Sequence, residues 1–395
     1  MTGEFEDTYC AMAKKLSSDL VSILSDLIAL PSPYPPGTSV EICAYAAKRL
    51  KKAGYKVEIA THKKGVDNVV ARLKGKAKGP VIAFNAHVDT VGVGERANWK
   101  SDPYKALVKG GLVHGLGAGN CKGSMAVQLW LAEEIARQGG PAKGELIFTF
   151  VADEENLGPE GMEYLRKSGK VRPNALILGA QTENNLIVAE RGVMWAKITT
   201  KGRAAHAGNP GAGDNAILRM MRLVGALSSY YDKALATRGS GAMKSTVNIG
   251  MFHGGHNTNV VPSACTVEID RRLLPNEKVK DAFKELKKVI DGVGEPKAMY
   301  DVEFLTGTNG FFAPENGATV AAFEAVVKQQ TGRKVKFLNA TGVSDGRYYA
   351  DDGIEIINFG PGSGAQGHAA NESVPIASMV EAAGIQLEVV KRLLS

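Results

Sequence analysis

The chain has 395 residues, 44% hydrophobic and 23% charged, a balance that argues against general disorder and leaves room for two domains of ordinary size. Its net charge of +7 is small for this length, and its lysines (74, 76 and 78; 284, 287 and 288) are not interleaved with aromatic residues, which argues against a nucleic-acid partner and leaves only a mild pull on anionic substrates. No apolar run of about 18 residues occurs, so no membrane span is expected.

The N-terminal stretch MTGEFEDTYCAMAKK is polar, with no apolar signal core. Cys10, Cys43, Cys121 and Cys265 are scattered and form no CxxC pair, so free thiols and a cytoplasmic location are expected.

Residues 13–29 set Leu16, Leu20, Ile23, Leu24, Leu27 and Ile28 on one helical face, and PSPYPPG (31–37) ends that helix. A second amphipathic helix over 39–53 closes at Gly54. Short apolar strands follow at 56–59, 68–72 and 81–85, then a helix over 124–138 and a buried strand over 145–151. This alternation predicts an α/β domain with a largely parallel sheet flanked by helices.

The texture changes near Gly192. Residues 193–200 alternate like a half-buried strand, followed by a helix (214–230), strands (245–250 and 264–272), a helix (278–291) and a strand (299–305). That βαββαβ order suits a two-layer α/β sandwich. The first texture then returns, with a helix over 316–331, strands at 336–338 and 354–359 and a helix over 376–394. The expected organisation is a catalytic domain of residues 1–192 and 306–395, interrupted by an inserted domain of residues 193–305.

Three segments carry chemistry. In VIAFNAHVDTV (81–91) a strand runs into His87 and Asp89, which share a face, so the acid can fix the imidazole tautomer for a metal on the other nitrogen. In VADEENLG (151–158) a strand ends in Asp153, Glu154 and Glu155. Such a concentration of buried acid calls for a cation; one Glu can bind a metal while its neighbour takes a proton from water. In GPGSGAQGHAANE (360–372) a glycine-rich loop leads to His368 and Glu372, and its amides can approach an anion closely. Alone, each has a plainer reading: a surface histidine, a solvated acidic loop, a loop histidine.

Together, and in this order, they resemble the metallohydrolase family of acetylornithine deacetylase, succinyl-diaminopimelate desuccinylase, aminoacylase and glutamate carboxypeptidase. The resemblance covers nearly the whole chain. It is carried by NAHVDTV (85–91), WKSDPYKALVKGGLVHGLGAGNCKG (99–123), ADEENLG (152–158), KGRAAHAGNPGAGDNAI (201–217), GGHNTNVVPSACTVEIDRR (254–272), SDGR (344–347) and GPGSGAQGHAANE (360–372). The resemblance implies His87 as a ligand of the first metal with Asp89 as its orienting partner. It implies Glu154 as the general base, and Glu155 and His368 as ligands of the second metal. In the inserted domain it implies His206 and Asn259 as stabilisers of the oxyanion, often across a subunit boundary, and Arg272 as the guanidinium that binds a substrate carboxylate. Gly360 and Gly362 would supply a backbone cradle beside it. The insertion would serve as lid and dimerisation domain of a homodimer.

Two positions depart from the family pattern. The motif G-x-G-x-x-D-x-K-G reads GLGAGNCKG here, so Asn120 replaces the acid that bridges two metals and can offer only an amide carbonyl. The string resembling G-E-P-T reads GAQT, so Ala180 stands where a first-metal carboxylate belongs, with Gln181 and Glu183 nearby; Glu183 is the substitute that a short register shift would supply. Cys121 beside Asn120 reads as a packed thiol. The expectation is therefore one divalent ion (Zn, Mn or Co) rather than two, in a hydrolase that cleaves a C–N bond of a small carboxylate-bearing substrate such as an N-acyl amino acid or a dipeptide. A dinuclear enzyme with its Asp replaced, an aminohydrolase acting on an unusual, aromatic amine, and a ligand-binding pseudo-enzyme remain alternatives.

Overall fold

The strand Ala77–His87 has its last six residues buried, and Ala175–Leu178 is buried throughout. Strands apolar on both faces belong inside a parallel sheet covered by helices, and the computed structural model has that arrangement. It describes residues 2–395 apart from 241, 242, 315 and 341, with side chains described outside residues 2–12, 240 and 366. The Cys10 thiol thus lies outside the described residues.

The chain divides into two units, one of Met1–Val188, Ala313–Leu338 and Ser344–Ser395, the other of Ala189–Phe312 and Asn339–Val343. In the first, Ala77–His87 pairs in parallel with Lys143–Val151 on one side and Ala175–Leu178 on the other, and the latter pairs in parallel with Glu355–Asn358. The antiparallel hairpin Lys56–Lys63 and Val66–Lys74 extends the sheet beyond Lys143–Val151. Helices Thr2–Ile28, Lys122–Arg137 and Ile376–Leu394 pack together against the sheet and bury Leu24, Leu129 and Ile385 completely. Phe84 stacks on Phe148 at 5.2 Å and Tyr55 meets Phe148 edge-on at 5.8 Å, geometries that suit the aromatic quadrupole. The parallel strands all end at one edge, which gathers residues 87–89, 152–155, 179–182 and 359–362 at a crevice of the kind that binds ligands in α/β sheets.

The second unit holds a four-stranded antiparallel sheet in the order Thr246–Gly254, Ala264–Leu273, Gly192–Lys201, Tyr300–Thr308. Helices Ala216–Ala236 and Val279–Asp291 pack on it and share a core with Met194, Ala196, Ile198 and Val267. Asn215 caps the first of these helices through the backbone N–H groups of Ile217 and Leu218. Among the described residues no helix is long and apolar enough to cross a membrane.

The long elements lie within a few residues of their sequence-based bounds. The helix expected from residue 13 already begins at Thr2. Elements absent from the sequence-based reading are short: Leu107–Lys109 and Leu112–His114, which form a small sheet with Ser373–Pro375, the helix Met162–Lys167 and the strand Leu186–Glu190. Pieces this short carry too few residues for a period to show.

Candidate metal centre

His87 ends its strand and is 7% exposed. Its Nδ1 lies 2.9 Å from the backbone carbonyl of Asp89, whereas the Asp89 carboxylate is 3.7 Å away. The contact at hydrogen-bond distance is the Asp89 main chain, with the Asp89 carboxylate close beside the same ring nitrogen. Asp89 uses Oδ2 to accept from the backbone N–H of Glu155, and its buried Oδ1 has no hydrogen-bond partner. Asp89 thus fixes the start of the acidic loop.

The Nε2 of His87 faces the centre, 3.3 Å from Asn120 Oδ1 and 3.9 Å from Glu154 Oε2. His87, Glu154 and Glu155 each offer a donor atom within 4.8 Å of the others. Across the centre, His368 Nε2 lies 2.9 Å from Glu155, and His368 takes the left-handed backbone conformation, φ 64°. Asn120 sits between the two sides. Its Nδ2 donates to Glu155 Oε1 at 2.7 Å and lies 3.1 Å from His368 Nε2, while its Oδ1 faces His87. Two imidazole nitrogens, glutamate oxygens and an amide carbonyl form a donor set that fits a zinc-type divalent cation.

Ala180 contributes no ligand atom. Glu183 is exposed and lies in a left-handed turn whose N–H is bonded to Gly362, and it is absent from the group of converging donors. Gln181 turns inward, so that a Cβ built on Gly119 would lie 2.5 Å from its Nε2. Cys121 is buried, its Sγ 3.3 Å from the carbonyl of Gly179, and burial pushes its thiol up. It is a packed, neutral thiol. Cys43, Cys121 and Cys265 are all buried and free.

Burial pushes the Glu154 carboxyl up to about 8, with His87 and Arg347 pulling the other way. Burial also works against a protonated His87, but the carboxylates of Glu154 and Asp89 outweigh it and hold the ring's pKa well above its ordinary value. Arg347, buried behind Glu154, places Nη1 3.7 Å from Glu154 Oε1, and this Nη1 has no hydrogen-bond partner. Its Nη2 donates to the Tyr348 hydroxyl. Asp345 lies 3.9 Å from the same guanidinium and accepts from Asn85 Nδ2, while Burial raises the Asp345 carboxyl against the pull of Arg347.

Other residues near the centre have roles that the sequence motifs did not reveal. Lys122 is 1% exposed and donates through Nζ to the carbonyls of Leu27 and Leu30, tying the helix that follows Asn120 to the end of the first helix. Glu372 accepts from the backbone N–H groups of Gly117, Gly119 and Asn120.

The amides of Gly360 and Gly362 donate to Thr182 Oγ1 and Ser378 Oγ. Both acceptors are side chains of the first unit. In the second unit, His206 and Asn259 lie on adjoining segments: His206 bridges to Val260, and Ala207 N–H donates to Asn259 O at 2.9 Å. Both side chains are exposed. Arg272 forks onto Asp270 at 2.8 and 3.0 Å, and Asp270 also accepts from Trp195 Nε1.

A model of the peptidase dimerisation domain matches residues 188–298, and one of peptidase family M28 matches residues 68–182. The chain is 28% identical to succinyl-diaminopimelate desuccinylase of Xanthobacter autotrophicus over 95% of this chain and 99% of that one. It is 25% identical to N-formyl-4-amino-5-aminomethyl-2-methylpyrimidine deformylase of Halalkalibacterium halodurans over 94% of this chain and 93% of that one. A tripeptidase from Staphylococcus aureus shares the fold at TM-score 0.77 and 23% identity, covering 96% of this chain and 98% of that one. An M20 family metallo-carboxypeptidase from Sulfolobus solfataricus does so at TM-score 0.77 and 18% identity, covering 94% and 98%. With the donor set above, these likenesses support a relationship to the zinc metallopeptidases and amidohydrolases of the M20 type, hydrolases of amide and peptide C–N bonds.

Proposed function

We propose that this hydrolase works with a single divalent ion on a small carboxylate-bearing substrate, an N-acyl amino acid or a dipeptide with a free C-terminus. The observation that carries this reading is the convergence of His87, Glu154 and Glu155, at the ends of two adjacent parallel strands, with Asn120 and His368 from two loops. Relative to the family pattern, Asn120 and Ala180 remove two negative charges from the centre. That is the charge of one dication, so the remaining carboxylates balance one ion better than two. When bound, the ion polarises the scissile carbonyl and lowers the pKa of water.

Glu154 takes a proton from the attacking water and returns it to the leaving nitrogen. Its Oε1 is backed by Arg347, which leaves Oε2, facing His87, for this exchange. His87, Glu155 and His368 hold the ion, with the Asn120 carbonyl as a weak fourth donor. Oxyanion stabilisation is assigned to His206 and Asn259, and carboxylate binding to Arg272.

The reading includes a catalytic domain of residues 1–192 and 306–395, an inserted lid and dimerisation domain of residues 193–305, a homodimer and a cytoplasmic location. The dimer is supported by the match to the dimerisation domain and by an apolar sheet edge, where Ile249, Met251 and Phe252 are 39–47% exposed. Light scattering that finds a monomer overturns the dimer.

The activity is tested by assaying the purified chain on a panel of N-acyl amino acids and dipeptides, with and without a chelator. Hydrolysis that the chelator stops and zinc, manganese or cobalt restores is the expected result. A chain inert on every substrate with every metal overturns the reading.

A further inference from the structure

We propose that Glu372 is a positioning residue of the metal centre, whose carboxylate ties the loop carrying Asn120 to the loop carrying His368 and so sets the spacing of these two side chains. The proposal rests on the metal-dependent reading above.

Glu372 is 2% exposed and lies four positions after His368. Its Oε2 accepts from Gly117 N–H at 2.8 Å, and its Oε1 accepts from Gly119 N–H at 3.0 Å and Asn120 N–H at 2.6 Å. Three amide donors from the four residues 117–120 wrap around one carboxylate and form an anion cradle built from within the chain. The main chain reinforces the tie: Gly115 N–H donates to the Glu372 carbonyl at 3.1 Å, and Ser373 pairs with His114.

The loop sequence follows from this close approach. A Cβ on Gly119 would lie 3.0 Å from Glu372 Oε1 and 2.5 Å from Gln181 Nε2, so the carboxylate reaches the amides only past glycine. Gly117 adopts φ 78°, a conformation that side chains disfavour.

The consequence lies at the centre. Asn120 is held by its own backbone N–H, and its side chain then meets Glu155 at 2.7 Å and His368 at 3.1 Å. His368 sits on the other tied loop. Removing the carboxylate leaves three inward-facing amides to find new partners, which frees the Asn120 loop to shift against His368. Residues that orient metal ligands from behind typically change metal affinity 10- to 100-fold when lost.

The test uses the full chain, stripped of metal and titrated with Zn2+ against a chromophoric competing chelator, with unfolding of the metal-free protein followed alongside. Glu372→Gln keeps the size of the side chain, but its Nε2 donor must face the Gly117 N–H. Zinc affinity is expected to fall about 10-fold or more in Glu372→Gln. Gly119→Ala, which pushes the carboxylate away from the amides, is expected to weaken zinc binding in the same direction and keeps the test open where Glu372→Gln fails to fold. A merely structural tie would lower the unfolding temperature and leave the zinc affinity of the folded chain unchanged. A folded variant of either kind that binds zinc as tightly as the wild type overturns the proposal and leaves the functional reading standing. A wild type that binds no zinc overturns both.

Discussion

The side-chain amide of Asn120 donates to Glu155 Oε1 at 2.7 Å, a neutral hydrogen bond at the position where the family resemblance implies a bridging carboxylate. The same amide turns its carbonyl toward His87 at 3.3 Å, so one short side chain still spans both halves of the centre. What has changed is its charge.

Asn120→Asp is therefore expected to tighten zinc binding by about tenfold or more, because a ligand position should matter at least as much as the residues that orient it. Combined with Ala180→Glu, it should raise the metal content toward two ions per chain. Elemental analysis and competitive titration check both. Unchanged affinity and content in the double variant would show that the centre's charge does not set its ion count.

Lys122 gives a pH signature. Burial lowers its ammonium to about 7 in the folded chain, with Glu372 opposing. The unfolded chain holds this proton up to the ordinary lysine range, about 10.4. Between these values the unfolded state binds more protons, so this group's contribution makes the fold more stable as pH rises. The unfolding temperature of metal-free wild type, measured relative to Lys122→Met, should climb from pH 7 to pH 10. A difference that is flat or falls with pH contradicts the lowering of the Lys122 ammonium by burial.

Arg272 forks onto Asp270, which fixes the plane of its guanidinium. Arg272→Lys keeps the charge and loses the fork. On the proposed substrates it should raise KM about 10- to 100-fold with a much smaller change in kcat, as for a lost charge-assisted hydrogen bond. Steady-state kinetics decide, and a fall confined to kcat would remove Arg272 from substrate binding.

The fold was legible wherever a period could establish itself. Gly192–Lys201 alternates in burial along most of its length, and Lys143–Val151 ends in a run of six buried residues. The centre was legible where chemistry sits at strand ends, as at His87 and Glu154–Glu155. It was not legible where the work is done by the main chain. Asp89 meets His87 through its carbonyl, and the Gly360 and Gly362 amides donate to Thr182 and Ser378. Nor do Arg347 behind Glu154 or Glu372 under Asn120 show in local pattern, because each pair is brought together across roughly half the chain or more by the sheet topology.

The central claim is a hydrolase whose half-buried Glu154 acts beside a single bound ion. It is tested most directly by measuring zinc content and hydrolysis together on wild type and Glu154→Gln. The account predicts about one ion per chain in both proteins, as expected of a mononuclear catalytic site, with hydrolysis lower by about 10²- to 10⁴-fold in the variant, the range for a lost general base. A variant as active as the wild type, or a wild type that holds no metal and stays inert when zinc is added, would contradict it.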